Sequence, residues 1–249
     1  MQLPLSLTLQ PELDFANFVV GQNALAVNEL MHLYQKVSNE NAQSAVNIVA
    51  SQRLITLWGS SGTGKTHLLH ALANVAESHN VGVFVLDCAQ LSTMLSAAQV
   101  PVSELLMGLE FYDIVCVDNV DVLLDSASGQ VALFDLINRV IEAEHALVIA
   151  GHASPQDPLI TLPDLRSRLC WGQVFQLLPL DDDGIIEVCT RSVQQRGIRL
   201  QAHAVEYLLN HAPRDMHSLQ ALIAQLDELS LIEQRGITIP LIKQCLEQS

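Results

Sequence analysis

A chain of 249 residues with 49% hydrophobic content suffices for one large domain or for a large and a small one. Its formal net charge of −15 runs through both halves, with three basic against thirteen acidic residues up to Asn138 and nine against fourteen from Arg139 onward. Binding DNA without a cluster of Lys and Arg to neutralise phosphates is unfavourable, so sequence-specific DNA recognition is not expected and protein partners are. No apolar stretch reaches the length that crosses a bilayer, and Met1-Gln2-Leu3 lacks a basic leader, so no membrane association and a cytoplasmic location are expected. The five cysteines (Cys88, Cys116, Cys170, Cys189, Cys245) form no C-x-x-C pair and read as buried reduced thiols.

Taken from the start, Gln2-Leu3-Pro4-Leu5-Ser6-Leu7 is short and extended, with leucines at alternating positions around a proline. Residues 1–10 are therefore read as a tail ahead of the domain, on composition alone either unstructured or packed on an edge. The first strong signal follows Leu54–Trp58, an apolar run with strand character. Gly59, Ser60, Ser61, Gly62, Thr63, Gly64, Lys65 and Thr66 then lead into a helical pattern starting at His67. A strand, a glycine-rich turn and a helix in that order form a phosphate-binding loop. The glycines let backbone N–H groups turn inward, Lys65 reaches terminal phosphates, and Thr66 offers a hydroxyl to Mg²⁺. His67 and His70 are one helical turn apart, but no third ligand completes a metal set.

Further strands are expected at Gly82–Leu86, Ile114–Val117, Ala146–Ala150 and Val174–Leu177. Helical stretches separate them after the phosphate loop, around Val102–Leu109 and across Gly129–Glu144. Continuous apolar strands alternating with helices specify an α/β fold with a parallel sheet flanked by helices. Ile114–Val117 ends in Asp118, which at the carboxyl edge of a central strand sits beside the phosphate loop and can hold magnesium through water. The next residue is Asn119, where a hydrolase of this kind needs a carboxylate to polarise water. An amide cannot accept a proton, so intrinsic hydrolysis is expected to be weak unless Asp121 or another group takes that part.

After the fourth strand come Gly151-His152 and then Asp164-Leu165-Arg166-Ser167-Arg168-Leu169, opened by Pro163. An arginine here suits stabilisation of a transferring phosphoryl group on a neighbouring subunit, and Arg168 is the candidate. On spacing alone a surface salt bridge to Asp164 or another acid is equally open. Beyond Pro179 only helical patterns remain, at Asp181–Arg196, Ala202–His211, Met216–Arg235 and Pro240–Gln248, with Asp181 and Gly197 as caps of the first. The acids Asp181-Asp182-Asp183 read as that cap rather than as a metal cluster. The domains expected are thus the tail 1–10, a nucleotide-binding α/β domain 11–178 and a small all-helical lid 179–249. Arg214, at a helix start in the lid, reads either as a surface residue or as one that closes over a nucleotide.

These motifs together resemble the AAA+ P-loop family, and within it the DnaA branch. The segment Asp14–Asn23 resembles the one with which DnaA-type proteins enclose adenine, which assigns Phe18, Val19 and Val20 to the base. The stretch Gly59–Leu72, including His67, resembles the family's nucleotide loop and helix, and Asp118 its metal-side aspartate. Asp164–Leu169 resembles the arginine-finger motif, with Arg168 in trans, and Arg214 falls at the lid's sensor position. Two departures narrow the resemblance: the chain has no helix-turn-helix domain after the lid, and only about ten residues precede the domain. What remains is similar to DnaA homologues that act on DnaA rather than on an origin. The resemblance implies ADP or ATP with Mg²⁺ as cofactors. It implies DnaA and the sliding clamp, the beta subunit of DNA polymerase III, as partners, with a homodimer or higher oligomer. Gln2, Leu3, Leu5 and Leu7 then look like a clamp-binding peptide. The expected function is inhibition of replication initiation by stimulating hydrolysis of DnaA-bound ATP. A DNA or helicase loader and a non-catalytic nucleotide-dependent scaffold remain the alternatives.

Overall fold

The computed structural model describes residues 13–41, 49–90, 101–195 and 238–248, with separate positions between 204 and 229. They fall into two compact units: one holds the described residues up to Phe18 with 23–60 and 64–177, the other 178–249 with the short pieces 19–22 and 61–63.

In the first unit five strands form one sheet: β1 (Leu54–Trp58), β2 (Val83–Asp87), β3 (Ile114–Asp118), β4 (Ala146–Gly151) and β5 (Gln173–Gln176). Their order is β2-β3-β4-β1-β5, and every pair is parallel. The three inner strands are buried almost throughout, which is why their sequences run apolar without alternation. Val115, Val117, Leu147 and Ile149 enter one cluster, whereas Ile114, Cys116, Val148 and Ala150, on the opposite face by the period of two, are equally buried. Both faces are therefore covered. At the edge, β5 alternates half-buried Gln173 and Phe175 with exposed Val174 and Gln176.

Helix α1 (Ala24–Asn41) packs on α2 (Lys65–Ser78), which lies against β2, β3 and β4. The expected pattern did not include α1. Its signal is the buried set Ala26, Val27, Leu30, Leu33 and Val37, spaced for one helical face. The expected helix around Val102–Leu109 is broken: α3 (Val102–Leu105) is one turn, and Gly108, at φ 89°, separates it from a 3-10 turn at Leu109–Phe111. Beyond β3 come α4 (Asp121–Leu124) and α5 (Ala127–Glu142). The Ser126 hydroxyl accepts from Gly129 N at 3.0 Å, so α5 starts two residues earlier than its apolar periodicity indicated. Leu133, Leu136, Ile137 and Val140 of α5 carry the core on that side. Helix α6 (Pro163–Trp171), with proline in its first turn, then leads into β5.

In the second unit α7 (Asp182–Gln195) is capped by Asp181, whose Oδ1 accepts from Gly184 N at 2.9 Å. With α8 (Ile239–Gln248) it contributes to a separate small core that includes Ile185, Cys189, Leu222, Leu226, Leu241, Ile242 and Cys245. Four of the five cysteines are buried reduced thiols. Cys170 departs from that expectation, being exposed on the outward side of α6.

The covered core sets a stability prediction. Leu136→Ala should lower the unfolding free energy by about 3 kcal/mol, because Leu136 is fully buried and its loss leaves a cavity. Val131→Ala, on the same helix at a 48% exposed position, should change it by less than about 0.5 kcal/mol. Urea denaturation of the two variants, compared with the parent, measures the contrast.

Candidate nucleotide site and arginine helix

Three strand ends and one helix start meet at the carboxyl edge of the sheet. β1 delivers the loop 59–66, and α2 begins inside it at Lys65. Gly62 and Gly64 have φ of 77° and 90°, conformations that side chains disfavour. A Cβ on Gly64 would also lie 2.5 Å from Phe18 Cε2, so the ring can pack on the loop only because that residue has no side chain. Lys65 is nearly buried, and its Nζ donates to the carbonyls of Gly59 at 2.7 Å and Ser60 at 2.8 Å. Burial pushes its pKa down, while the Asp118 and Asp121 carboxylates pull it back. The Thr66 hydroxyl donates to Asp118 Oδ2 at 2.6 Å, across 52 residues of sequence. Burial pushes the Asp118 carboxyl up, opposed by that hydroxyl and by Asn119 N, which donates to Oδ1 at 2.9 Å. A hydroxyl and one carboxylate side by side, next to a lysine and a turn with inward-curving backbone, fit a phosphate chain carrying Mg²⁺, an ion that keeps most of its water. Among the described residues no group of three His, Cys, Asp or Glu offers a fuller metal cage.

The leading segment is fastened to α2. His67 Nε2–H donates to Asp14 O at 2.8 Å and its ring meets Phe18 edge-on at 5.3 Å, while Asn74 Nδ2 donates to Leu13 O at 2.8 Å. His67 is thereby committed to holding Phe18 beside the loop. Burial lowers its pKa despite the Asp14 carbonyl, as it does that of buried His70. Val19 is buried and Val20 half-buried.

Asn119 takes a left-handed backbone conformation, φ 52°, and its Nδ2 donates to Asp87 Oδ1 at 2.8 Å. Its side chain is thus turned toward the end of β2. Asp121 accepts from His152 N at 2.8 Å, from Ala153 N at 2.9 Å and from His152 Nδ1 at 3.0 Å. Burial would raise its pKa, but these donors outweigh burial and hold the carboxyl below its ordinary value. Asp121 and His152 are therefore occupied with each other. Neither Asn119 nor Asp121 presents an uncommitted base.

The expected finger lies on α6. Arg166 Nη2 donates to Ile160 O at 2.5 Å, so it caps the loop before its own helix. Arg168 makes no ion pair with Asp164 among the described residues; its guanidinium lies over the Trp171 ring, 5.4 Å from the centroid. The salt-bridge alternative for Arg168 is thus not what the structure contains. Helix α6 is anchored to β1 by Thr56 Oγ1, which donates to Leu169 O at 3.4 Å, and by Gly172, whose missing Cβ would lie 2.4 Å from Leu54 O. Arg214 and the tail residues Gln2, Leu3, Leu5 and Leu7 lie outside the described residues.

Two polar residues escaped the sequence reading. Asp87 ends β2 as Asp118 ends β3, and the two are register partners. Gln130 is a buried amide on the apolar face of α5, a placement that marks it as structural or functional.

The parallel sheet order, the glycine-rich loop and the strand-ending aspartate define an AAA+ nucleotide-binding fold. The sequence profile of the bacterial DnaA ATPase domain matches residues 9–176, and that of the Hda lid domain matches residues 181–246. The chain belongs to the bacterial DnaA ATPase-domain family, as an Hda- and DnaA-like AAA+ protein, which places it among DnaA-related regulators of replication initiation. Solved structures agree on the fold. Domain III of the Thermotoga maritima replication initiation protein DnaA superposes with a TM-score of 0.78 at 20% identity, covering 97% of this chain and 98% of that one. AMPPCP-bound DnaA from Aquifex aeolicus gives 0.70 at 21% identity, over 92% and 67% of the two chains. RuvB from Thermotoga maritima gives 0.62 at 16%, over 90% and 68%. Among the described residues no helix is long and apolar enough to cross a membrane.

The Asp121 clasp predicts a pH dependence. A carboxyl depressed in the folded state stabilises the fold above its unfolded value, ordinarily 3.8, and that contribution is lost as pH falls through the lower folded value. Asp121→Asn should cost about 1–2 kcal/mol at pH 7, since an amide nitrogen cannot accept from the donors gathered there. The gap between variant and parent should narrow below about pH 4, a trend that urea titrations at pH 7 and pH 3.5 resolve.

Proposed function

We propose that this chain restrains replication initiation by acting on the nucleotide of a DnaA partner. It binds ADP or ATP with Mg²⁺ through Gly59–Thr66, Asp118 and Phe18–Val20, with Arg214 closing from the lid. It docks on the DNA-loaded sliding clamp through Gln2–Leu7 and pairs with ATP-bound DnaA. Arg168 is then offered to the phosphates of that partner.

The observation that carries this reading is the division of labour around the site. The position after Asp118 is an amide turned onto Asp87, and Asp121 is engaged by His152 and Ala153, so the chain's own site holds nucleotide without a ready base. Arg168, by contrast, stands on a well-anchored helix with its guanidinium set over an aromatic face rather than paired with an acid. A guanidinium held that way keeps its donors for an oxyanion, whereas one locked in a carboxylate pair would first have to break it.

The chemistry assigned to each group follows. Mg²⁺, when bound, neutralises charge on the β- and γ-phosphate oxygens. Thr66 and Asp118 orient the metal's shell, Lys65 counters phosphate charge, and the loop's backbone N–H groups hold the phosphates. At the partner's nucleotide the Arg168 donors stabilise charge that grows on the transferring phosphoryl group.

Arg168→Ala should abolish clamp-dependent stimulation of hydrolysis of DnaA-bound ATP, a loss of about 10³-fold or more for a finger, while nucleotide and clamp binding persist. Stimulation that survives the substitution would remove Arg168 from this role. Deleting 2–7 should eliminate binding to the clamp on DNA and leave the melting temperature of the domain unchanged; retained clamp affinity would refute the tail assignment.

A further inference from the structure

We infer that Gln130 is a positioning residue for Arg168, the part that sets the path of the chain into the arginine helix. The inference rests on the reading of Arg168 as a residue offered to a partner nucleotide.

Gln130 is only 3% exposed, yet every polar valence of its side chain is used. Its Nε2 donates to Leu124 O at 2.8 Å and to Leu159 O at 2.8 Å. Its Oε1 accepts from Thr161 N at 2.9 Å, Leu162 N at 2.9 Å and the Thr161 hydroxyl at 3.2 Å. One amide thus joins the end of α4 to Leu159, Thr161 and Leu162 of the segment that opens α6. Leu162 is the cap position of that helix, and it has no side-chain cap of its own.

The earlier part of the loop is closed by its own short-range bonds, from Asp157 N to Ser154 O at 2.8 Å and from Ile160 N to Asp157 O at 3.0 Å, and these do not reach Thr161 or Leu162. It is pinned at 152–153 by Asp121 and turns on itself through Asp157, whose Oδ1 accepts from Leu159 N at 2.9 Å. Arg166 holds Ile160 O from the far side. Without Gln130 the N–H groups of Thr161 and Leu162 and the carbonyl of Leu159 lose the side chain that ties them to α5 and are left to water. The expected response is a shift of the loop and a rotation of α6, and Arg168 lies one and a half turns along that helix. A long side chain at the end of such a lever is displaced by more than the loop that moves it.

Gln130 touches neither the phosphate loop nor any part of the proposed nucleotide contacts, which makes its role separable. Gln130→Glu keeps the shape and the acceptor but sets an oxygen against the Leu124 and Leu159 carbonyls. It should lower the maximal rate of stimulated hydrolysis of DnaA-bound ATP by about tenfold to hundredfold, the size expected of a misplaced catalytic group. The concentration for half-maximal stimulation and the affinity for ADP should be unchanged. Gln130→Glu combined with Arg168→Ala should be no worse than Arg168→Ala alone, because both act through one group. A rise in the half-maximal concentration, a drop in ADP affinity, or additive losses would make Gln130 merely structural and overturn the inference.

A second readout does not depend on DnaA. Trp58 and Trp171 are the two tryptophans, so in a Trp58→Phe background acrylamide quenching of Trp171 reports its cover by Arg168. Gln130→Glu should change that quenching; an unchanged value together with unchanged stimulation would sink the proposal. If Arg168→Ala leaves stimulation intact, the proposed function fails while the Trp171 signal still decides whether Gln130 sets α6. Should Gln130→Glu not fold, Thr161→Val removes only the hydroxyl bond and should give a loss of about two- to threefold in the same maximal rate. No loss there would likewise count against the inference.

Discussion

A strand buried on both faces can carry chemistry only where it ends. β1, β3 and β4 are covered above and below, and all run in one direction, so their polar residues are driven to one edge of the sheet. Asp87, Asp118, Gly151 and the phosphate loop gather there for that reason, and the Thr66–Asp118 contact closes the cluster. The interior strands tolerate no polar substitute without a partner. The edge needs polar groups to satisfy the ends of the strands and the start of α2. Fold and site are in this sense the same constraint seen at two places.

At that edge the acids are not interchangeable. Asp118 faces the loop and takes its hydroxyl. Asp87 receives the amide of Asn119, and Asp121 receives two backbone N–H groups and a histidine. Each carboxylate is committed to a different donor, so the local negative charge is divided rather than pooled. An Asn in a left-handed conformation is suited to this arrangement, since its short polar side chain tolerates positive φ and supplies a donor that a glutamate lacks. A glutamate at 119 with the same backbone would bring a second carboxylate against Asp87. The amide is thus part of how the ends of β2 and β3 are joined, as well as a group unable to activate water.

How much was legible in the sequence follows from how local each signal is. The inner strands were legible within a residue or so because burial on both faces produces unbroken apolar runs, and the phosphate loop because its glycines, lysine and threonine act within eight residues. Helix α1 was missed because its apolar face is interrupted by polar residues and precedes the first strand. The break at Gly108 replaced a continuous helix because a left-handed residue ends a turn that periodicity alone would prolong. The commitments of Asn119, Asp121, His152 and Gln130 were beyond reach. Each depends on a partner about thirty residues away, brought near only by the sheet's order.

The two arginines of α6 show why spacing could not assign them. They sit two apart, so a helix directs them to different sides. Arg166 turns back to a carbonyl of the preceding loop, and Arg168 lies along the aromatic face of Trp171. One is spent on building the helix start and the other is held by a contact that uses none of its hydrogen-bond donors. A guanidinium whose fork is spent on a loop carbonyl has fewer donors left for any anion. Two on one short helix leave one to hold the turn and the other over the ring. This also makes the path of the chain between β4 and α6, tied by Asp121, Gln130 and Arg166, what fixes where the second guanidinium stands.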